Sequence, residues 1–158
     1  MADTQDLIAP CGLYCGDCHC YQQRIPNLAR DLREELRNTG YKKLADLMGT
    51  DGFVKVFGED FEAFRDYDKC CEVLEAMDRL RCSKGCRAGS EISFCRSCKI
   101  RECCQEKGLA GCWECSGFET CNELDFMLRP AHGEGHIKNL KIIKTKGAEE
   151  FVRGKRNW

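Results

Sequence analysis

Residues 81–121 read RCSKGCRAGSEISFCRSCKIRECCQEKGLAGCWECSGFETC, and this cysteine-rich segment sets the class of structure that the chain can adopt. Its apolar residues follow no helical or strand period, and five glycines interrupt it. Two pairs, Cys95/Cys98 and Cys112/Cys115, have the C-x2-C spacing with which one tight turn grips a tetrahedral zinc ion. Because such a segment buries little apolar surface, we expect metal ligation to stabilise it, by on the order of 10 kcal/mol for each structural zinc site.

The cysteines of this segment are predicted to fill two metal sites. A third pair, Cys82/Cys86, has the looser C-x3-C spacing. Pairing in sequence order builds one site from Cys82, Cys86, Cys95 and Cys98, and a second from Cys112, Cys115, Cys121 and one of two adjacent residues, Cys103 or Cys104. The predicted ligand set takes Cys103. Interleaved pairings satisfy the same chemistry, so the prediction concerns the ligands and not their partition.

A further cysteine block, Cys11-Gly-Leu-Tyr-Cys15-Gly-Asp-Cys18-His19-Cys20, lies near the amino terminus. Three of its residues are predicted to bind metal: Cys11, Cys15 and Cys18. Four residues are candidates for the fourth ligand: His19, Cys20, Cys70 and Cys71. Cys71 is preferred, because a ligand from a distant helix would fasten the amino terminus to the helical core.

The C-x3-C-x2-C spacing of this block is also the spacing with which radical S-adenosylmethionine enzymes hold a [4Fe–4S] cluster. Three ligands would leave one iron open for chemistry. Against this alternative, Asp17 occupies a position that is usually aromatic in those enzymes, and the chain lacks the length and strand content of their partial barrel. A three-cysteine spacing alone is a weak signal.

Composition and compartment both favour metal ligation as the use of these thiols. The chain has 158 residues, enough for one ordinary domain, and 15 cysteines, an odd number that cannot all pair within it. Met1 to Pro10 has neither the basic nor the apolar region of a secretory signal, and no stretch approaches the ~18 apolar residues of a membrane span. We therefore expect a cytoplasmic protein with reduced thiols and no membrane association.

Helical periodicity is confined to residues 21–80 and 119–158, which are predicted to form the helical core of a single domain covering residues 1–158. The expected helices include Tyr41–Met48, a long one over Glu59–Leu80, and one from Thr120 that ends at Arg129-Pro130. A last helix is expected to end at Gly147. The predicted fold class is mainly α with irregular metal-stapled cysteine-rich knuckles, and a small α+β fold is the alternative.

Charge and the remaining polar residues identify no substrate and no catalytic group. The formal net charge is −1, and two or three four-thiolate zinc sites would bring it to about −5 to −7. We therefore expect no nucleic-acid partner except through the basic carboxyl-terminal stretch, and an unidentified protein is the expected partner. His132 and His136 are separated by two glycines and are predicted to be solvated loop histidines.

The chain resembles a prokaryotic cysteine-rich family of unknown function whose members are described as zinc-binding. The resemblance rests on the opening from Ile8 to Cys18, the run from Phe94 to Gly108, the knuckle from Cys112 to Phe118 and the late Asn139-Leu-Lys-Ile-Ile143. It implies metal binding and no particular reaction. The C-x3-C spacing of Cys82/Cys86 departs from the tighter pair expected in the family.

Three hypotheses follow for the function. The leading one is a zinc-binding protein whose structural sites support an interaction or scaffold module, since four-thiolate sites leave no open position for chemistry. The second is an electron-transfer or redox-sensing protein with [4Fe–4S] clusters on the same cysteines. The third is a metalloenzyme that uses the amino-terminal site.

Overall fold

The computed structural model describes residues 4–157. Met1 to Asp3, which belong to the stretch interpreted as lacking a secretory signal, and Trp158 lie outside the described residues. Within the described range the structure is built from helices and contains no strand, and extended pairing is limited to one antiparallel bridge between Ile8 and Tyr14. The predicted mainly α class is confirmed.

Ten α-helices follow one another along the described chain. They are α1 His19–Gln22, α2 Arg24–Asn38, α3 Tyr41–Met48, α4 Asp51–Phe57, α5 Tyr67–Asp78, α6 Ser93–Arg96, α7 Lys99–Glu106, α8 Asn122–His132, α9 Gly135–Lys146 and α10 Ala148–Arg153. Short 3-10 segments lie between them at Thr4–Leu7, Cys15–Asp17, Glu59–Asp66, Cys112–Glu114 and Phe118–Thr120. None of the helices within residues 4–157 is long and apolar enough to span a membrane.

The helices divide into two compact units. The first unit combines the amino-terminal residues Met1–Gln22 with Cys82–Trp158, and the second is formed by Gln23–Arg81. The two segments predicted to share one helical core therefore belong largely to different units. The single-domain layout stays a prediction.

The first unit has a core in two parts. One part joins α7, α8 and α9 through Ile100, Cys104, Leu124 and Leu140, with Phe118 between them. The other part joins the amino-terminal segment to α9 and α10, and its buried residues are Ile8, Tyr14, Ile143 and Phe151. Because both parts include α9, this helix connects the amino-terminal cysteine block with the cysteine-rich segment.

Gly12 is required where the amino-terminal block contacts α9. Its φ of 85° lies in the left-handed region that L side chains rarely adopt. A Cβ at this position would stand 2.8 Å from Cγ of Leu140 and 3.2 Å from the carbonyl oxygen of His136. The glycine between Cys11 and Leu13 therefore permits both the turn and the close approach of the helix.

The second unit packs α2 against α5 and leaves much apolar surface in solvent. Between these helices, Arg33 forms salt bridges with Glu75 at 3.2 Å and Asp78 at 3.3 Å. Several large apolar side chains of the unit remain exposed: Leu28, Leu32, Leu44, Leu47, Val56, Phe57 and Val73. The second unit therefore leaves many of its large apolar side chains in solvent.

The helix predictions are confirmed at two places and wrong at two others. Helix α3 has the predicted bounds, and α9 ends before Gly147, whose φ is 88°. The predicted long helix over Glu59–Leu80 is wrong, because a 3-10 segment occupies its first third and the α-helix begins only at Tyr67. The predicted end at Arg129-Pro130 is also wrong. Pro130 lies inside the last turn of α8, where it removes one helical hydrogen bond two residues before the helix ends.

Candidate metal centre

Eight cysteines of the first unit line one cavity of about 300 Å³. They are Cys11, Cys15, Cys18, Cys20, Cys82, Cys86, Cys95 and Cys98, and we call them the cavity cluster. Sequence reasoning assigned the amino-terminal cysteines and those between 82 and 98 to separate sites. In the structure both groups face the same space.

Hydrogen bonds between residues far apart in the chain hold the two halves of the cavity cluster together. The backbone nitrogen of Cys82 donates to the carbonyl oxygen of Cys20 at 3.1 Å. The backbone nitrogen of Cys86 donates to Sγ of Cys15 at 3.3 Å. These contacts place the 82–86 turn over the amino-terminal block, so the cavity forms only when both segments are folded.

Arg101 is a buried cation in the lining of the cavity that sequence reasoning missed. Its side chain, on α7, is 8 % exposed. Nη1 donates to the carbonyl oxygens of Cys86 at 3.1 Å and Cys95 at 3.2 Å, and Nη2 donates to the carbonyl of Arg96. One guanidinium thus connects both cysteine turns. No pattern marks it in the sequence, where an arginine among lysines and glutamates resembles a surface residue.

The thiols of Cys15 and Cys86 are hydrogen bonded to each other. The Cys86 thiol donates to the Cys15 sulfur and, with the Cys86 backbone N–H, lowers the pKa of Cys15 to about 7 against the opposing effect of burial. The same contact raises the pKa of Cys86. Cys15 is therefore the thiol of this pair that ionises first.

Burial raises the pKa of other thiols in the cavity cluster. The pKa of Cys11 rises to about 12, and those of Cys20 and Cys95 rise to about 11. Neighbouring thiols add to the effect of burial, because a thiolate disfavours a second negative charge beside it. Without a metal these three thiols are protonated at neutral pH, so a metal ion that binds them must displace protons.

Five further cysteines gather beside this cavity in the first unit. They are Cys103, Cys104, Cys112, Cys115 and Cys121, and we call them the knuckle cluster. Sγ of Cys104 lies 3.6 Å from Sγ of Cys112, and both side chains are buried. Two thiolates on one zinc ion are about 3.8 Å apart, as a tetrahedron with Zn–S bonds of about 2.3 Å requires. The Cys104/Cys112 pair therefore has the spacing of one edge of such a site.

Cys103 and Cys104 differ in their contacts, which bears on which of them could be a metal ligand. The Cys103 thiol is hydrogen bonded to Lys107, whereas the Cys104 thiol contacts Cys112. The geometry favours Cys104 as the partner of Cys112, and the predicted role of Cys103 stays a prediction. The two clusters adjoin, since the Cys112 backbone nitrogen donates to the carbonyl oxygen of Pro10 at 2.8 Å, next to Cys11.

Cys70 and Cys71 belong to the second unit, on α5. Cys70 is exposed, and Cys71 lines an open groove of about 450 Å³ together with Arg33, Arg37 and Lys42. The predicted participation of Cys71 in the amino-terminal site stays a prediction.

The histidines occupy positions that the sequence did not indicate. His19 is exposed although cysteines of the cavity cluster flank it. His132 ends α8 and lines the cavity, and His136 lies in α9 with only 1 % of its surface exposed. The prediction that His132 and His136 are solvated loop histidines is wrong. Helices α8 and α9 run on either side of the turn at Gly133, and burial lowers the pKa of both imidazoles.

The thiols surround the cavity and do not meet at one point. Across residues 4–157, no group of three or more His, Cys, Asp or Glu side chains is arranged so that it could hold a metal ion. All 15 cysteines are free thiols. The potential donors are soft thiol sulfurs and one imidazole around a shared cavity, a set that suits zinc or an iron–sulfur cluster in chemistry.

Comparison with known proteins identifies the family. No curated protein and no solved structure matches the chain. A family model described as a protein of unknown function (DUF3795) matches residues 7–126, a range that includes every cysteine of both clusters. This match confirms the predicted resemblance to a family of unknown function. The zinc binding that the resemblance implied stays a prediction. The chain therefore belongs to the DUF3795 family.

Proposed function

We propose that this chain is a zinc-binding protein whose two cysteine clusters hold structural metal ions. The observation that supports the proposal best is the position of eight thiols around one cavity. Thirteen of the 15 cysteines, all but Cys70 and Cys71, belong to the two clusters. Thiols that served only as small apolar residues would have no reason to gather in this way.

In the knuckle cluster, Cys104, Cys112, Cys115 and Cys121 would hold one zinc ion. The 3.6 Å spacing of the Cys104 and Cys112 sulfurs supports this assignment. In the cavity cluster, eight thiols are enough for two four-thiolate sites. Zinc bound in this way supplies no open position, and its contribution is to the stability of the fold.

The packing of residues 81–121 explains why such a contribution is needed. Three of the residues buried there are the cysteines Cys82, Cys104 and Cys112, and a fourth is the cation Arg101. Large apolar side chains are few, so burial alone stabilises the segment weakly. Ligation by the surrounding thiols would link the segment to the amino-terminal block.

An iron–sulfur protein is the second candidate, and the cavity itself supports it. A [4Fe–4S] cluster places its irons between the ligating thiolates, so its ligands surround a space and do not converge on one atom. The cavity cluster has this arrangement, with a volume of about 300 Å³ between its thiols. The function would then be electron transfer or redox sensing.

The proposed biological role is an interaction or scaffold module with a protein partner. The exposed apolar side chains of the second unit support this role. Nucleic acid is a weaker candidate, because two of the lysines of α9 make contacts within the fold. Lys141 forms a salt bridge with Glu119 at 2.6 Å, and Lys144 lies over the ring of Phe118 at 5.3 Å.

Purification without oxygen, followed by elemental analysis, sulfide analysis and a visible spectrum, tests the proposal. We expect about two to three equivalents of zinc in a colourless sample. Iron with acid-labile sulfide and absorbance near ~400 nm would establish the second candidate in place of zinc. Protein that folds with neither metal, and takes up neither on reconstitution, would contradict both. Cys70→Ser is the matched control, since this exposed thiol should not alter the metal content.

A further inference from the structure

Helix α8 forms one wall of the cavity. Four of its residues face the thiols: Met127, Leu128, Ala131 and His132. They recur with the spacing of four residues that places side chains on the same face of a helix. His132 is the last residue of α8 and ends this wall.

The chemistry of the cavity lining singles out this imidazole. Besides the thiols and His132, four polar side chains line the described cavity: Tyr14, Tyr21, Ser90 and Arg101. Arginine stays protonated and has no lone pair to donate, and serine and tyrosine are not usual zinc ligands. Among the described lining residues, His132 is therefore the one nitrogen donor able to bind a metal ion.

We propose that His132 is a metal ligand of the cavity cluster and completes a mixed thiolate–imidazole site. The proposal rests on the zinc-binding function proposed above and adds a ligand to it. Three thiolates and one imidazole are a common ligand set for structural zinc. Each imidazole that replaces a thiolate makes the site less negative by one charge, which reduces the cost of enclosing charge between apolar walls.

The other two histidines supply matched controls. His19 lies between Cys18 and Cys20 in the sequence, but it is exposed and does not line the cavity. His136 is buried in α9, does not line the cavity, and has no hydrogen-bond partner for Nδ1 among the described residues. Sequence reasoning kept His19 open as one of four candidates for the fourth ligand of the amino-terminal block, whereas the structure leaves it exposed and places His132 at the cavity.

The test uses the whole chain labelled with ¹⁵N at histidine. Imidazole nitrogen spectra are recorded on metal-free protein and after addition of zinc, with bound zinc measured on the same samples. We expect zinc to move the nitrogen signals of one imidazole and to fix its tautomer. That signal should persist in His19→Gln and His136→Gln and be missing from His132→Gln. If His132→Gln does not fold, the first two variants still assign the signal by elimination.

Each outcome decides the proposal. Zinc binding with no perturbed imidazole, or with the perturbed signal lost in His19→Gln or His136→Gln, would overturn the role of His132 and leave the zinc-binding function intact. Absence of bound zinc in wild-type protein would overturn both.

Discussion

The guanidinium of Arg101 donates to the carbonyl oxygen of Cys95 at 3.2 Å, so a buried cation holds the backbone of one cysteine of the cavity cluster. The same nitrogen also reaches Cys86. We expect Arg101→Met to lower the free energy of unfolding by about 3 kcal/mol, because hydrogen bonds to charged groups contribute roughly 1.5–3 kcal/mol each and their loss leaves carbonyls unpaired. Urea denaturation of the metal-free protein measures the change.

Arg96→Met is the control for this prediction. Arg96 is exposed and makes one long hydrogen bond, of 3.3 Å, to the carbonyl of Glu91. Its replacement should change the stability by less than about 0.5 kcal/mol. Equal effects of the two variants would show that Arg101 does not hold the cysteine turns together.

Gly12→Ala should destabilise the contact between the amino-terminal block and α9. The new Cβ would require a positive φ and would stand 2.8 Å from Leu140. We expect a loss of about 1–3 kcal/mol, combining backbone strain with overpacking. The melting temperature of the variant, compared with that of the wild type, measures it.

Gly117→Ala is a matched substitution in the same unit. Gly117 has a φ of −102°, and a Cβ there would meet nothing within 4 Å. Its effect should be near zero or slightly stabilising. If both variants melt at the wild-type temperature, the close approach of Gly12 and Leu140 is not a feature of the folded protein.

The stability of the metal-free protein should depend on pH in two opposite directions. The pKa of Cys15, about 7, lies below the ordinary value of 9.0, so its stabilising contribution is present above 9.0 and is lost as the pH falls through about 7. Cys11, Cys20 and Cys95 have pKa values of about 12, 11 and 11, and their contribution is full below 9.0 and lost as the pH rises through those values. Stability should therefore be greatest near pH 9.

Chemical denaturation with a reducing agent and a chelator, between roughly pH 6 and 11, measures this profile. Zinc affinity should instead rise continuously with pH over the same range, because the metal displaces protons from the thiols. A metal-free stability that does not change with pH would show that the thiols are not buried as described.

The adjacent residues Cys103 and Cys104 form a natural pair for mutation. Cys104→Ser should prevent binding of the zinc ion proposed for the knuckle cluster, because the Cys104 sulfur contacts that of Cys112. Cys103→Ser should retain more metal, since the Cys103 thiol is directed to Lys107. Zinc content after dialysis against a weak chelator distinguishes the two, and the reverse order would restore Cys103 as the ligand.

Some of this structure is predictable from local sequence. Tyr41–Met48 and α9 follow from helical periodicity and from the glycines that end it, and both are found. The prediction of one helix over Glu59–Leu80 was wrong because its first residues, although periodic, form a 3-10 segment. In this segment the rings of Phe61 and Phe64 stack on each other. Periodicity does not distinguish the two kinds of helix when the segment is short.

The grouping of eight cysteines around one cavity could not be predicted from their order in the sequence. C-x2-C spacing predicts Cys95/Cys98 and Cys112/Cys115 as ligand pairs, but sequence order separated the amino-terminal block from the 82–98 cysteines that share its cavity. That arrangement depends on contacts between residues far apart in the chain, such as Cys20 with Cys82. The position of His132 at the cavity was also missed. The two glycines between His132 and His136 predicted a loop, whereas His132 is the last residue of a helix that lines the cavity.

The backbone hydrogen bond between Cys82 and Cys20 joins two segments of the cavity cluster that are synthesised at different times. Cys20, the last of the first four thiols of the cavity, leaves the ribosome 62 positions ahead of Cys82, an interval of roughly 3–12 s at about 5–20 residues per second. In that interval the second unit, Gln23–Arg81, is being made, and the wall contributed by α8 follows later still. The nascent chain thus carries these four thiols for seconds before the other half of the cavity cluster has been synthesised.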